Sequence, residues 1–346
     1  MFARCSLIVV NPKLPEPELA QMLTENGAKH LVCDTSALAL AQGAAKVVTG
    51  LRPPIALSTA STTVLEHDYL QRWKLDSREG KPEDEWGLVF SSGSTGVPKG
   101  IVQSHLGVIS ESLAWCIELE LRRDTRFFVG RPLFYTGGLA LTFACHTVGS
   151  TVVIADGDDN DPDATLSGLE AAAKIGKIDW VFFVPEQARS ILRLRKTWQY
   201  PGNPASILLM GSKTSGEEKQ SLGKLFSATV VESWGNSEGL GTITSREDLA
   251  LRPDSIGRSF IGEHVLVVDE NCEPVPARTV GRIAGTESTM FTEYAGAPDV
   301  TASTKRSGLV LSGDVGYRDH DGYLYILGRT DDVARLKDGN WITVDA

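Results

Sequence analysis

A chain of 346 residues exceeds the size at which a single hydrophobic core keeps growing, about 250 to 300 residues, so more than one folded unit is expected. With 42% hydrophobic and 23% charged residues the composition is that of an ordinary globular protein, and 34 basic against 44 acidic residues leave a net charge of −10. That balance argues against nucleic acid or an anionic membrane surface as the main partner.

Cys5, Cys33, Cys116, Cys145 and Cys272 lie far apart with no C-x-x-C pair, so neither a zinc site nor a disulfide framework is indicated, and a reducing cytoplasmic compartment fits. The apolar run Leu7 to Val10 is too short for a signal-peptide core. The longer one, Leu139 to Ala155, is broken by His146 and Gly149-Ser150 and falls short of a membrane span.

From Ser6 to about Ser233 short β-branched runs alternate with helical patterns. Ser6–Val10 reads as a strand; Pro15, Glu16 and Pro17 open a helix that Gly27 closes; His30–Cys33 is extended again. Trp86–Phe90 reads as a strand that feeds the stretch FSSGSTGVPKG, Phe90 to Gly100. Leu106, Ile109 and Leu113 then recur at helical spacing. Strand, loop and helix in that order would aim the orphan N–H groups of the helix start at an anion held by the loop.

Further strands are expected at Phe127–Val129, Thr151–Ile154, Trp180–Val184, Ile207–Met210 and Thr229–Glu232. A helix over Pro185–Lys196 carries the apolar stripe Ala188, Ile191 and Leu192, and Asp161-Pro162 should cap another helix behind the acidic run that starts at Asp156. Repeated strand–helix units predict mostly parallel sheet covered by helices over residues 1–253. Past Pro253 the rhythm changes to strands alone, at His264–Asp269, Gly281–Ala284, Gly308–Leu311 and Tyr323–Leu327, which predicts a small antiparallel sheet or barrel over 254–327. The fold class is therefore α/β with a β-rich subdomain, and 328–346 is a trailing segment.

The chemistry-bearing clusters follow the same order. In FSSGSTGVPKG, small residues expose backbone N–H groups and hydroxyls, and Lys99 adds a compact cation, a combination suited to a polyphosphate. It is not a Walker loop, because Pro98 precedes Lys99-Gly100 where Lys-Ser or Lys-Thr is required. Trp234-Gly235-Asn236-Ser237-Glu238 places an aromatic face, a hydroxyl and a carboxylate at a strand end. Asp314, in Ser312-Gly313-Asp314, offers two acceptor oxygens to a pair of hydroxyls. Gly328-Arg329-Thr330-Asp331-Asp332 sets a fixed cation beside two acids. Read singly, each has a plainer account: a Ser/Gly surface loop, a packing tryptophan, a turn aspartate bonded to its own backbone, a solvent-facing acidic turn.

Read together, they resemble the adenylate-forming superfamily of acyl-CoA synthetases, peptide-synthetase adenylation domains and luciferases. FSSGSTGVPKG looks like that family's phosphate loop; WGNSEG like its aromatic-Gly-x-Thr-Glu motif, with Ser237 for threonine; and SGDVGYRDHDGYLYILGR like its ribose-binding segment and approach to the hinge. PLFYTGG at Pro132–Gly138 is similar to its acyl-pocket motif, Gly211-Ser212 to its adenine-contacting turn, and DSIGRS and VGRIAG to its barrel strands.

The resemblance implies an enzyme that activates a carboxylic acid with ATP and Mg²⁺ to an acyl-adenylate and transfers it to coenzyme A, or alternatively to a phosphopantetheinyl carrier protein. A nucleotide-binding module without turnover is the third reading. It implies that Ser91, Ser94, Thr95, Gly96 and Lys99 hold the β- and γ-phosphates, that Glu238 holds the metal with Thr95 nearby, and that Thr95, Lys99 and Glu238 are the catalytic set. Gly211, Ser212, Ser233, Trp234, Gly235, Ser237 and Ile326 would border the nucleotide, Asp314 would take the ribose hydroxyls and Arg329 the ribose or phosphate side. Tyr135 and Gly138 would line the acyl pocket, and 328–346 would be the hinge, marked by Asp331, and the stub of the family's C-terminal domain.

Three departures from the family pattern shape the expectation. The family carries strands and helices before the part resembling Ser6–Pro15, and a C-terminal domain with a catalytic lysine after the hinge, which would lie beyond Ala346. Ala334 to Gly339 replaces the usual Ile-Lys-x-x-Gly with one residue more. Tyr135 stands where histidine is common, and with no aspartate in that motif to hold an α-amino group, the acid is expected not to be an amino acid.

Overall fold

A computed structural model describes residues 6–57, 80–91, 99–154, 161–194, 204–262, 264–286, 291–335 and 341–343. The largest element is a seven-stranded sheet in the order Arg258–Ser259, Gly241–Ile243, Thr229–Gly235, Ser206–Met210, Trp180–Phe183, Arg126–Val129, Thr151–Ile154. Its five strands from Thr229–Gly235 to Thr151–Ile154 run parallel, and the two at the other edge are antiparallel. Parallel strands buried on both faces read as continuous apolar runs, as in the wholly buried Trp180–Phe183.

Both faces are covered. Helices Pro162–Ile175, Pro185–Leu194 and Gly216–Phe226 pack Leu169, Ile191 and Leu222 against Val181, Ile207 and Leu209 on one side. Helices His105–Glu118 and Thr136–Val148 pack Trp115, Leu141 and Ala144 against Phe127, Phe182 and Leu208 on the other. Asp161 accepts from Asp163 N to cap its helix (2.9 Å), as the Asp-Pro pair predicts. Ser215 and Glu218 form a full capping box at Gly216–Phe226, a helix whose S-x-x-E signal is legible in the sequence but forms no part of the expected alternation. The apolar stretch starting at Leu139 is the helix Thr136–Val148, ended by Gly149 at φ 76°, followed by the strand Thr151–Ile154. Among the described residues no helix is long and apolar enough to cross a membrane.

A second, four-stranded sheet has the order Leu7–Ile8, Glu85–Ser91, Lys99–Ser104, Phe291–Tyr294. Only its first pair is parallel. Here the structure corrects the expected strand–loop–helix unit. Residues 99–104 form a strand that returns antiparallel to Glu85–Ser91, and the helix starts only at His105, at that strand's far end, capped by Ser104. Glu85–Ser91 and Lys99–Ser104 therefore form a hairpin, and the helix N-terminus lies at the end away from Ser91 and Lys99. The helix is present, but Leu106, Ile109 and Leu113 face outward; its buried face is Gly107, Ser112, Ala114, Trp115 and Cys116.

Beyond residue 264 an antiparallel sheet runs Val265–Val268, Gly281–Thr286, Leu309–Arg318, Lys305–Arg306, with Leu324–Arg329 also paired to Leu309–Arg318. Bulges between Arg282 and Ala284 and between Val315 and Gly316 increase its bend. Two features interrupt the strands-only rhythm expected here. Phe291–Tyr294 leaves to join the four-stranded sheet, and a short helix, Pro298–Thr304, follows it.

Candidate functional site

Of the residues singled out in the sequence, Gly211, Ser212, Trp234 and Gly235 lie at the carboxyl ends of parallel strands, where open α/β sheets place their ligands. Ser206–Met210 ends at Gly211-Ser212, and Thr229–Gly235 ends in Trp234-Gly235. Gly211 has φ 128°, a conformation that only glycine adopts without strain, so the turn after Met210 depends on it. Ser212 Oγ donates to Glu186 Oε1 (3.2 Å), and Lys213 Nζ reaches the Ile326 carbonyl (3.4 Å), which links this turn to the antiparallel sheet. Arg189 braces it from below, through the Lys213 carbonyl (2.7 Å) and the carboxylates of Glu218 (2.8 Å) and Glu186 (3.4 Å).

Beneath the same turn lies a buried ion pair. Lys219 Nζ donates to Glu232 Oε2 at 2.7 Å with both side chains 3% exposed, and Glu232 Oε1 accepts from Thr214 N (2.9 Å). Glu232 N in turn donates to Thr244 Oγ1 (2.8 Å). One carboxylate thus ties the Gly211–Thr214 turn, the helix Gly216–Phe226 and the strand leading to Trp234 together. The sequence places Glu232 on a strand and gives no sign of its partner, which lies on a separate helix.

Trp234 Nε1 donates to Asp314 Oδ2 at 3.2 Å. On the opposite strand Arg329 is Asp314's register partner, with its guanidinium 3.5 Å from Oδ1. Asp314 N donates to Ser312 Oγ (3.0 Å). Burial pushes the Asp314 carboxyl above the usual carboxylate range, while Arg329 and the Trp234 N–H pull in the other direction. Gly313 leaves room for the Arg329 guanidinium: a β-carbon there would stand 2.5 Å from Arg329 Nη2.

Glu238 lies one turn of chain past Trp234, and its Oε1 accepts a hydrogen bond from the Tyr294 hydroxyl. Burial, then the Glu238 charge, hold the Tyr294 phenol above its ordinary range. Lys99 Nζ stands 5.9 Å from the centre of the same ring. Tyr294 is absent from the sequence-based site because a register shift between Phe291 and Glu293 breaks the two-residue period, so Phe291 and Tyr294 are both buried three positions apart.

Ser237 joins the acyl-motif segment: its Oγ is 3.4 Å from Thr136 Oγ1, and its carbonyl accepts from Gln103 Nε2 (3.4 Å). Tyr135, just before that helix, is exposed, with the Arg131 guanidinium 4.1 Å from its ring centre, and buried Gly138 lies against the Arg131 and Pro132 carbonyls. Behind Thr136 a small cavity is lined by Trp86, Gln103, Glu111, Leu139 and Phe143, and burial there raises the Glu111 carboxyl to about 7.

Not every expected contact is available. The Ser233 hydroxyl is buried and donates to the Thr242 carbonyl (2.8 Å), so only the backbone of that residue can border a ligand. Gly235 approaches the Leu240 carbonyl, Ile326 and Trp234 each pack against the cluster that contains Ile256 and Leu324, and Asp331 lies in an exposed turn after Arg329. Ser94, Thr95 and Gly96 lie outside the described residues, and of Ser91 only the backbone, paired with Lys99, is described. Among the described residues no group of three or more His, Cys, Asp and Glu side chains forms a metal site.

The chain is 26% identical to a feruloyl-CoA synthase of an Amycolatopsis species over 338 residues, 94% of this chain and 64% of that protein. It is 27% identical to the fatty acid–[acyl-carrier-protein] ligase ScoC of Streptomyces coeruleorubidus, covering 94% and 63%. Its fold superposes on an anthranilate CoA ligase solved with anthranoyl-AMP with a TM-score of 0.84 at 22% identity, over 96% of this chain and 64% of that one. The chain therefore spans about 64% of the length of such relatives. Its sequence also matches the AMP-binding enzyme family from residue 1 to residue 295. The chain belongs to the AMP-binding enzymes, within the adenylate-forming superfamily.

Proposed function

We propose that this protein serves as an AMP-forming acid–thiol ligase: it activates a carboxylic acid with ATP to an acyl-adenylate, which is then passed to coenzyme A. In the first step a carboxylate oxygen attacks the α-phosphorus, and the bond to the β-phosphate oxygen breaks with its electron pair leaving on pyrophosphate. In the second, a thiolate attacks the acyl carbon and AMP departs. Such transfers need an in-line approach and neutralised charge more than covalent participation by the protein.

The observation that carries this reading is the convergence, at either end of Trp234–Glu238, of an aromatic–carboxylate–guanidinium group and a lysine–tyrosine–carboxylate group. In the proposal Asp314 accepts the ribose hydroxyls, Arg329 takes the ribose or phosphate side, and Trp234 lies along the adenine beside Gly211-Ser212. Lys99, with Ser91, Ser94, Thr95 and Gly96, holds the leaving phosphates. Glu238, with Thr95, holds Mg²⁺. A lone carboxylate with substrate phosphates is how Mg²⁺ is commonly bound, which fits the lack of a three-residue metal cluster among the described residues. Bound there, the ion would neutralise the developing charge on the pyrophosphate. Tyr135 and Gly138 border the acid, and Asp331 marks the hinge.

Pyrophosphate exchange into ATP, measured against a panel of fatty and aromatic acids, tests the proposal. Acid-dependent exchange that falls about 10²- to 10³-fold in Lys99→Ala supports it; exchange indifferent to every acid overturns it. Because one relative is a carrier-protein ligase, coenzyme A and a phosphopantetheinyl carrier should be offered side by side as acceptors.

A further inference from the structure

Tyr294 is anchored through its backbone and its ring. Its backbone is in register with Ile101 on the strand that begins at Lys99, and its N–H donates to Thr301 Oγ1 (3.0 Å) at the start of the following helix. Its ring packs edge-on against Phe291 with centres 4.9 Å apart, and the residue is 7% exposed. From this fixed position the hydroxyl donates to Glu238 Oε1, and the ring lies under Lys99 Nζ at 5.9 Å. Lysine and glutamate are rotamer-rich side chains, and each loses freedom when it engages a ligand. A rigid phenol that restrains both before the ligand arrives lowers that cost, as preorganised sites do.

We infer that Tyr294 is a positioning residue for the metal–polyphosphate part of the site: it fixes Oε1 of Glu238 so that Oε2 is presented to a divalent cation, and keeps Lys99 on the same side of the cleft. The inference rests on the functional reading above, but concerns a residue that this reading does not use. The tyrosine touches neither substrate nor metal in this role. Its hydroxyl acts through Glu238, and the consequence is specific: the hydroxyl supports the magnesium-dependent part of nucleotide affinity and leaves alone the metal-independent part, to which the ring contributes through Lys99.

The test is calorimetric titration of ATP into the full chain, with magnesium and with a chelator instead, for the wild type, Tyr294→Phe, Glu238→Gln and the double variant. Magnesium should tighten binding to the wild type. In Tyr294→Phe that gain should shrink at least fivefold, while affinity in chelator stays within twofold and the melting temperature is preserved. In the double variant the gain should be no smaller than in Glu238→Gln alone, because the tyrosine acts through that carboxylate. A full magnesium gain in Tyr294→Phe, equal losses with and without metal, or additive losses in the double variant would each overturn the inference and leave the proposed function standing. A wild type that binds no ATP would overturn both.

Discussion

Trp234 Nε1 and Asp314 Oδ2 meet at 3.2 Å although 80 positions separate them in the chain, so this indole and this carboxylate of the candidate site are one hydrogen-bonded unit. Trp234→Phe keeps most of the ring and deletes the donor. A hydrogen bond to a charged group contributes about 1.5 kcal/mol or more, so nucleotide affinity should fall about tenfold, read by calorimetry.

The same substitution has a pH signature. The Trp234 N–H favours the ionised form of a carboxyl whose burial already raises its pKa, so deleting it raises that pKa further. Nucleotide binding, which in the proposal uses Asp314 as an acceptor, is lost as pH falls through that pKa. The loss should therefore set in at a higher pH in Trp234→Phe than in the wild type, and titrations at several acidic pH values would check it.

Lys219→Met leaves the Glu232 carboxylate buried without its counter-ion. Breaking a buried pair from one side costs about 3–5 kcal/mol, so chemical denaturation should show a loss of that size, and Lys219→Met/Glu232→Gln should be less destabilised than Lys219→Met alone. A loss below 1 kcal/mol in the single variant would mean that the Gly211–Thr214 turn does not depend on the pair.

Glu111 gives a second pH dependence, of opposite sense. Its folded-state carboxyl titrates at about 7, above its ordinary value, so the folded state is favoured while the group is protonated, and that contribution is lost as pH rises through about 7. The folded wild type should lose stability between pH 5 and 8, by up to about 3 kcal/mol from this group, and Glu111→Gln should flatten the profile. Melting temperatures of the two proteins across that range decide the matter.

Gly313→Ala is a milder probe of the site. The new β-carbon meets the end of the Arg329 side chain, which can swing away, so the fold should be kept with little change in melting temperature. The Arg329–Asp314 pair is displaced instead. Exposed pairs contribute about 1 kcal/mol or less, so nucleotide affinity should fall at most about fivefold.

Much of this was legible in the sequence for a physical reason. Strands such as Thr151–Ile154 and Trp180–Phe183 are apolar runs bounded by turn residues, and Gly211-Ser212 and Trp234-Gly235 lie at strand ends, where motif and secondary structure coincide; Asp314 instead sits inside the strand Leu309–Arg318. What local pattern missed was long-range. Lys99–Ser104 reads as the approach to a helix, because only its pairing with Glu85–Ser91 and Phe291–Tyr294 makes it a strand. Leu106, Ile109 and Leu113 have helical spacing whichever face is buried, and the buried face is the one bearing Trp115, packed on Phe260 at 4.6 Å. Tyr294 and Glu232 owe their place in the site to partners that a one-dimensional pattern does not reveal.

The pairing of Phe291–Tyr294 with the Lys99 strand also sets an order of events in the cell. Ala295 N closes on the Gly100 carbonyl at 2.8 Å, so the hairpin that carries Lys99 is sealed only by chain that is made much later. At typical synthesis rates its open edge waits on the order of ten seconds or more, during which it is a template for pairing with other nascent chains. A product cut short anywhere between that hairpin and Phe291 would keep this edge permanently. Premature termination in that interval should therefore yield aggregate rather than a smaller working protein, and the lysine end of the site should be among the last parts to take shape.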